Sequence, residues 1–167
     1  FGKALGNGYA INAIIGKREI MEEAQQTFIS STFWTERIGP TAALKTLEVM
    51  KKIKSWEIIN SISKKFTKKM EEIAQQNNLD ISIDLTPATI NFKLNYDNWL
   101  KYKTLLTQEM LKKGFLASSS VFICIEHTEK ILDRYFYEMN KVFSIISDCI
   151  NEKKLIDELL EGPISHS

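Results

Sequence analysis

The sequence predicts an α+β fold, and three observations indicate it. Four of the seven glycines fall in the first 16 residues, a long helical pattern follows residue 39, and alternating strand patterns come only later. A glycine-rich lead and one long helix, followed by mixed strands and helices, are typical of an α+β protein. The 167 residues suffice for a core, since a chain of about 150 residues buries roughly 70% of its unfolded surface.

The first 40 residues predict four local features. Residues 11–15 are β-branched and apolar and are followed by Gly16, which predicts a buried strand. Residues 17–26 suit a short helix, and residues 28–34 suit a short strand or an extended loop. Gly39-Pro40 opens a long helix that continues to about residue 76, with proline at the first helical position.

The second part of the chain predicts a small sheet packed with helices. Residues 81–85 and 90–94 alternate with period two on either side of Thr86-Pro87, so we expect two antiparallel strands. The remaining predicted elements are a helix capped at 95–97 and ended by Gly114, a strand at 121–125, a helix from Thr128 and a short helix at 151–160.

Composition excludes several classes of function. The charges nearly balance, with 22 Lys+Arg against 21 Asp+Glu, so nothing favours a nucleic-acid partner. Two cysteines and two histidines are too few for a disulfide scaffold or a typical zinc site, and we expect no metal. No apolar run reaches the roughly 18 residues of a membrane span. We therefore expect a cytoplasmic protein without a membrane or nucleic-acid partner.

The glycine cluster at residues 2–8 does not match the known phosphate-binding patterns. Its lysine precedes the later glycines, unlike the lysine of G-x-x-x-x-G-K-[ST], and no G-x-G-x-x-G follows a strand. Glycine permits tight turns and close approach of the backbone to a ligand. Spacing alone leaves both interpretations open, a simple turn or a ligand-binding loop.

Four segments resemble one enzyme family in the same order along the chain. Residues 2–10 (GKALGNGYA) are similar to the cofactor-lysine segment of the class III (fold type I) pyridoxal-phosphate aminotransferases, and residues 30–40 (SSTFWTERIGP) resemble their downstream threonine segment. Residues 106–114 and 126–130 resemble the C-terminal domain of the same proteins. Within the family, the similarity is greatest to glutamate-1-semialdehyde 2,1-aminomutase-like members.

The resemblance implies a division of the chain into two parts. Residues 1–54 would form the end of the α/β large domain, including the lysine loop and the start of a long connecting helix. Residues 55–167 would form the small C-terminal α+β domain, a short sheet covered by helices. Because the first residue is not Met and the family's other cofactor-binding groups precede the lysine, we expect the C-terminal part of a longer enzyme that is inactive by itself.

The resemblance implies that Lys3 is the catalytic and cofactor-binding lysine. In the family this lysine forms a Schiff base with pyridoxal 5'-phosphate and later moves a proton at the substrate carbon. Without the resemblance, Lys3 would be read as a surface lysine beside a turn.

The resemblance also implies that a threonine contacts the cofactor phosphate. Thr35 lies five residues before Pro40, which reproduces the family's threonine-to-proline spacing, and Thr32 is the second candidate. In the family this threonine reaches the cofactor of the neighbouring subunit, so a homodimer with shared active sites is implied.

These features predict a pyridoxal-phosphate-dependent aminotransferase or aminomutase. Its partners would be small-molecule donors and acceptors of an amino group. The alternative is a non-catalytic fragment or degenerate homologue that serves only as a dimerisation or folding module.

Overall fold

A computed structural model describes residues 1–29 and 32–165 of the chain. The chain divides into two compact units, Phe1–Ser55 and Trp56–Ser167. The helices and strands of the second unit confirm the α+β fold class.

The described residues of the first unit form loops, short helical turns and one longer helix. A single 3-10 turn, Lys3–Leu5, comes first, followed by α1 (Arg18–Glu22), which continues as a 3-10 turn at Glu23–Gln26. Helix α2 spans Ile38–Ile53. The short helix predicted at 17–26 is therefore confirmed.

The strand predicted at residues 11–15 is wrong. These residues have no regular structure, and Ile14 and Ile15 are 70% and 72% exposed. The Ala13 N–H donates to the Phe1 carbonyl at 2.8 Å, and the Phe1 amino group donates to the Ala13 carbonyl. A strand needs a ladder of such bonds along its length, and the described residues of this unit supply only that one pair. Residues 28–29 and 32–34 lie in turns and loop, and Ser30 and Ser31 lie outside the described residues.

Helix α2 begins two residues earlier than predicted. Pro40 is the third helical residue rather than the first, which proline tolerates because the first four N–H groups of a helix have no partner within it. The carboxylate of Glu36 accepts hydrogen bonds from the N–H groups of Ile38 and Gly39. Glu36 thus caps two of the unpaired donors, and Pro40 has no N–H that needs a partner.

The single helix predicted from residue 39 to about 76 is also wrong. Lys54 adopts a left-handed conformation (φ 50°), donates its N–H to the Met50 carbonyl and ends α2. A second helix, α3, follows at Ser55–Gln76. Neither glycine nor proline stands at the break, so the sequence carries no local signal for it.

The described part of the second unit forms a three-stranded antiparallel sheet and four helices. Strands β1 and β2 form the predicted hairpin, with Ile83 opposite Phe92, and β3 pairs with β2 so that Val121 lies opposite Ile90. Ala88 in the turn has a φ of 68°. After α3 the elements are β1 (Ile81–Thr86), β2 (Thr89–Leu94), α4 (Trp99–Lys112), β3 (Ser120–Phe122), α5 (Glu129–Ile150) and α6 (Ile156–Leu159).

Two predicted elements are shorter than expected. Strand β3 ends at Phe122, and the Cys124 N–H then donates to Nδ1 of His127, which turns the chain towards α5. The helix predicted at 151–160 is confined to α6, because Glu152 is left-handed (φ 57°) and the Lys153 N–H returns to the Asp148 carbonyl at the end of α5.

The core of the second unit lies between the sheet and helices α3, α4 and α5. Most of the apolar residues that repeat at helical spacing on α3 and α5 are buried or partly buried, as their periodicity predicts, whereas Ile58 and Ile131 are exposed. Fully buried side chains include Phe66, Met70, Ile90, Leu94, Leu106, Met110, Met139, Phe143 and Ile146.

Candidate functional site

The lysine loop, residues 2–9, is closed by backbone hydrogen bonds. The Leu5 N–H donates to the Gly2 carbonyl at 3.0 Å, and the Tyr9 N–H donates to the Gly6 carbonyl at 3.1 Å. A Cβ at Gly6 would collide with the Tyr9 carbonyl oxygen. Gly6 is therefore required for the loop to close, independently of any ligand.

Lys3 has an unusual backbone within this loop. Its φ of 48° lies in the left-handed region, which is uncommon for a residue with a Cβ and is often associated with functional sites. Its side chain is exposed. The ε-amine of Lys3 is therefore accessible to a small molecule.

Lys3 lines a cleft of about 960 Å³ formed by residues of the first unit. Gly8, with a φ of 102° and open space where a Cβ would stand, is also on its wall. Of the two threonines predicted from the resemblance, Thr32 lines this cleft together with Lys3. The cleft is lined by Lys3, Gly8, Tyr9, Ala10, Ile11, Asn12, Ile14, Ile29, Thr32 and Phe33.

Thr35 is not among the described residues that line the cleft. It is exposed and immediately precedes Glu36, whose carboxylate already accepts the first N–H groups of α2. Ser30 and Ser31, which belong to the same segment of resemblance, lie outside the described residues.

The wall of the cleft is mostly apolar or neutral. Among its described residues Lys3 is the one charged side chain, and no carboxylate is present. The arrangement supplies a nucleophilic amine next to hydroxyl and amide groups that can bind an oxygen-rich ligand. It supplies no acid that could pair with a ring nitrogen.

Asn12 is a cleft residue that the sequence did not single out. A Cβ at Gly2 would collide with its Oδ1, so the side chain lies directly against the lysine loop. Asn12 is the polar residue of the apolar run 11–15, and this could have indicated a special role. The interpretation of the run as a buried strand left that role unrecognised.

In residues 1–29 and 32–165 no group of three or more His, Cys, Asp or Glu side chains could hold a metal ion. None of the helices in that part of the chain is long and apolar enough to cross a membrane.

The sequence and the fold of this chain are similar to those of known proteins. The family model of class-III aminotransferases matches residues 1–115, and the chain belongs to this family. This confirms the resemblance to the class III aminotransferases.

The individual similarities point in the same direction. The chain is 30% identical over 138 residues to the 3-aminobutyryl-CoA aminotransferase of Cloacimonas acidaminovorans, covering 79% of this chain and 33% of that protein. It is 29% identical over 164 residues to the glutamate-1-semialdehyde 2,1-aminomutase of Nitrosopumilus maritimus, covering 84% and 38%.

A solved structure shares the fold. The FumI protein of Sphingopyxis sp. MTA144, determined in its PLP internal aldimine form, superimposes with a TM-score of 0.80 at 19% identity. The similarity covers 95% of this chain and 39% of that one. The chain thus spans between a third and two fifths of the length of the relatives it matches.

Proposed function

We propose that this chain is the C-terminal part of a pyridoxal-phosphate-dependent aminotransferase or aminomutase in which Lys3 holds the cofactor. The proposal rests on the position of Lys3. This lysine is exposed, has a left-handed backbone conformation and lies on a glycine-rich loop at a cleft of about 960 Å³. The chain that contains it belongs to the class-III aminotransferase family. The lysine loop supports the proposal of an enzymatic function. The alternative, a non-catalytic dimerisation or folding module, is not favoured.

The residues present fit the lysine-side half of the cofactor site. The Lys3 amine is free to attach to the cofactor aldehyde, and the open space beside Gly8 leaves room for a planar ring. When bound, pyridoxal phosphate supplies an electron sink for charge that develops at the substrate carbon. The acid that would pair with the ring nitrogen is not on the described wall of this cleft, and we propose that other residues of the longer enzyme provide it.

Lys3 has two roles in this proposal. Its Nζ would hold the cofactor, and the same Nζ would accept and return a proton at the substrate carbon. Asn12, which packs against Gly2, holds the loop that carries Lys3.

A threonine hydroxyl contacts the cofactor phosphate. The spacing to Pro40 favours Thr35, and the place of Thr32 on the cleft wall supports Thr32. Separate substitution of Thr35 and Thr32 by valine in the longer enzyme distinguishes them. The phosphate-binding threonine is the one whose loss weakens cofactor binding at least tenfold.

We further propose that the enzyme is a cytoplasmic homodimer with shared active sites. Large apolar side chains of the first unit stand exposed, among them Phe28, Trp34, Ile38 and Leu44. Exposed apolar surface of this extent is typical of a surface that binds another polypeptide.

Borohydride reduction of the longer enzyme tests the central proposal. With pyridoxal phosphate supplied, we expect absorbance near the edge of the visible range, and after reduction a peptide carrying the cofactor on Lys3. Lys3→Ala removes the label, whereas Lys17→Ala, an exposed lysine of the same unit, retains it. Labelling elsewhere, or none, refutes the proposal.

The amino-group chemistry is then assigned by product analysis. An aminotransferase needs a separate acceptor molecule to complete its turnover, whereas an aminomutase returns the amino group to the same carbon skeleton. Incubation of one candidate substrate without an acceptor distinguishes the two.

A further inference from the structure

The last described segment of the second unit, residues 156–165, lies against helix α4. Four polar side chains of α4 contact it, and their spacing of three or four residues places them on one face of the helix. These side chains, which we call the α4 polar stripe, are Lys101, Thr104, Gln108 and Lys112.

Gln108, in the middle of the stripe, binds the main chain of the segment twice. Its Nε2 donates to the Leu159 carbonyl at 2.9 Å, and its Oε1 accepts the Glu161 N–H at 2.8 Å. One helical turn before it, Oγ1 of Thr104 accepts the Ser165 N–H at 2.9 Å. The segment therefore doubles back along α4 after Glu161, and its return depends on the part that Gln108 holds.

Ion pairs lie at both ends of the stripe. Nζ of Lys101 lies 2.6 and 2.7 Å from the two carboxylate oxygens of Asp157. Nζ of Lys112 lies 2.6 Å from Oε1 of Glu161. The two carboxylate side chains are 70% and 67% exposed. Salt screens the attraction between exposed charges, so the hold on the segment should weaken as the ionic strength rises.

The apolar contacts of the segment are few. Ile156 is 9% exposed, and Leu159 and Leu160 are partly buried against the core. Residues 161–164 are exposed. Regions with few buried apolar contacts open at a lower free energy than the whole fold. We therefore expect the segment to leave α4 before the core of the second unit unfolds.

The connection between α5 and the segment contains a strained residue. Glu152 has a φ of 57°, in the left-handed region that glycine usually occupies after the end of a helix. Its N–H donates to the Cys149 carbonyl at 3.2 Å, and the Lys153 N–H donates to the Asp148 carbonyl at 2.9 Å. The closed position of the segment thus requires an unfavourable backbone at Glu152, which the chain can give up when the segment opens.

We propose that residues 156–165 form a strap that opens and closes over the α4 polar stripe as one unit. Glu152 is its pivot, and the rest of the second unit stays folded while the strap moves. The stripe is the docking surface, and its occupant is this C-terminal segment of the same chain. The proposal does not depend on the enzymatic function, because all the residues concerned belong to the second unit.

Hydrogen exchange of the whole 167-residue chain, followed by NMR, tests the strap. Its reporters, the strap amides, are those of Glu158, Glu161 and Ser165. The first donates to the Leu155 carbonyl at 3.1 Å, and the other two donate to the α4 polar stripe. We expect their protection factors to agree within about threefold and to lie at least about a hundredfold below that of Phe143 in the core. Protection equal to that of Phe143, or three unrelated protection factors, overturns the proposal.

Salt provides a second reading of the same experiment. Raising sodium chloride from about 0.05 to about 0.5 M screens the two ion pairs, so all three strap amides should exchange faster by a common factor. Faster exchange at one strap amide only would show that the segment does not open as a unit, and it would overturn the proposal.

Gln108→Ala is the decisive variant. It removes two hydrogen bonds to the strap, so we expect the three strap amides to exchange about tenfold faster while the core amides do not change. The Glu158 and Ser165 amides donate to groups other than Gln108, so faster exchange there reports the opening of the whole strap. Gln76→Ala, at the exposed end of α3, should change none of them. Faster exchange of Glu161 alone means that the contacts break independently, and the proposal is then refuted.

Glu152→Gly tests the pivot. Glycine occupies the left-handed region without the penalty of a Cβ, so the closed strap is favoured and the strap amides should exchange about three- to tenfold more slowly. Glu152→Ala removes the same charge but keeps the Cβ, and it should give no such slowing. Unchanged exchange in Glu152→Gly, or equal slowing in both variants, shows that Glu152 is not the pivot and the proposal is wrong.

Discussion

The two units of the chain differ most in how they are held together. Among its described residues, the second unit buries a continuous cluster of 22 apolar residues. In the first unit Ala43 is the one apolar residue that is buried among those the structure describes, and Leu44, beside it on α2, is 70% exposed. The candidate catalytic lysine lies in the unit without a core of its own.

Because the described residues of the first unit lack such a cluster, the geometry of the lysine loop depends on local backbone contacts. Gly6 permits the loop to close, and Glu36 caps the helix that follows. In the second unit the position of a residue is instead fixed by close packing, which tolerates little change in volume.

The largest predicted effect comes from the core of the second unit. Phe143→Ala removes a fully buried ring of α5, and we expect a loss of about 3–5 kcal/mol in the free energy of unfolding. Leu44→Ala on exposed α2 should change it by less than about 0.5 kcal/mol. Urea denaturation measures both. A comparable loss in the two variants would mean that the first unit is as tightly packed as the second.

Gly6→Ala tests the local control of the first unit. The new Cβ meets the Tyr9 carbonyl oxygen, so the loop must open, at a cost of about 1–3 kcal/mol for a strained backbone. We expect altered amide shifts throughout residues 2–9 in NMR spectra and reduced labelling of Lys3 in the longer enzyme. Gly162→Ala, where the added Cβ meets nothing, serves as the control. Unaltered loop signals would contradict the structure.

Ser63→Ala should strengthen the second unit. Ser63 on α3 is 1% exposed, and its hydroxyl has no hydrogen-bond partner among the described residues. Its removal relieves an unsatisfied polar group and favours the helix, so we expect a gain of about 1 kcal/mol. Ser61→Ala on the exposed side of the same helix isolates the helix-propensity component. If the two variants gain equally, the buried hydroxyl costs nothing.

The smallest predicted effect concerns surface charge at the end of α5. The ammonium of Lys154 lies 2.9 Å from Asp148, and this hydrogen bond lowers the pKa of the Asp148 carboxyl. A lowered folded-state pKa gives stability that is present above the unfolded pKa and is lost as pH falls through the folded value, below about pH 4. NMR titration should show the Asp148 midpoint rising in Lys154→Ala. Stability near pH 7 should hardly change, since exposed ion pairs contribute little.

The difference in packing between the two units also explains which parts of the fold the sequence predicted. Helices α3 and α5 and the hairpin of β1 and β2 carry their own periodic apolar faces, and each face finds a partner within the second unit. Residues 11–15 have the composition of a strand but no neighbouring strand among the described residues. The break between α2 and α3 depends on the left-handed backbone of Lys54, and no glycine at that position indicates it in the sequence.

The sequence predicted only part of the candidate site. The resemblance singled out Lys3 and the two threonines, but periodicity could not show that Asn12 packs against the lysine loop. Contacts of this kind depend on how a loop folds back on itself, and residue type alone does not determine that. The roles of Lys3, Thr35 and Thr32 remain predictions.

The exposed face of α2 also bears on quality control in the cell. Leu44, Leu47 and Met50 lie one turn apart and all stand open to solvent. An apolar stripe of this kind attracts chaperones and promotes aggregation for as long as it is uncovered. A copy of the chain whose α2 face stays uncovered is therefore prone to aggregation and to degradation.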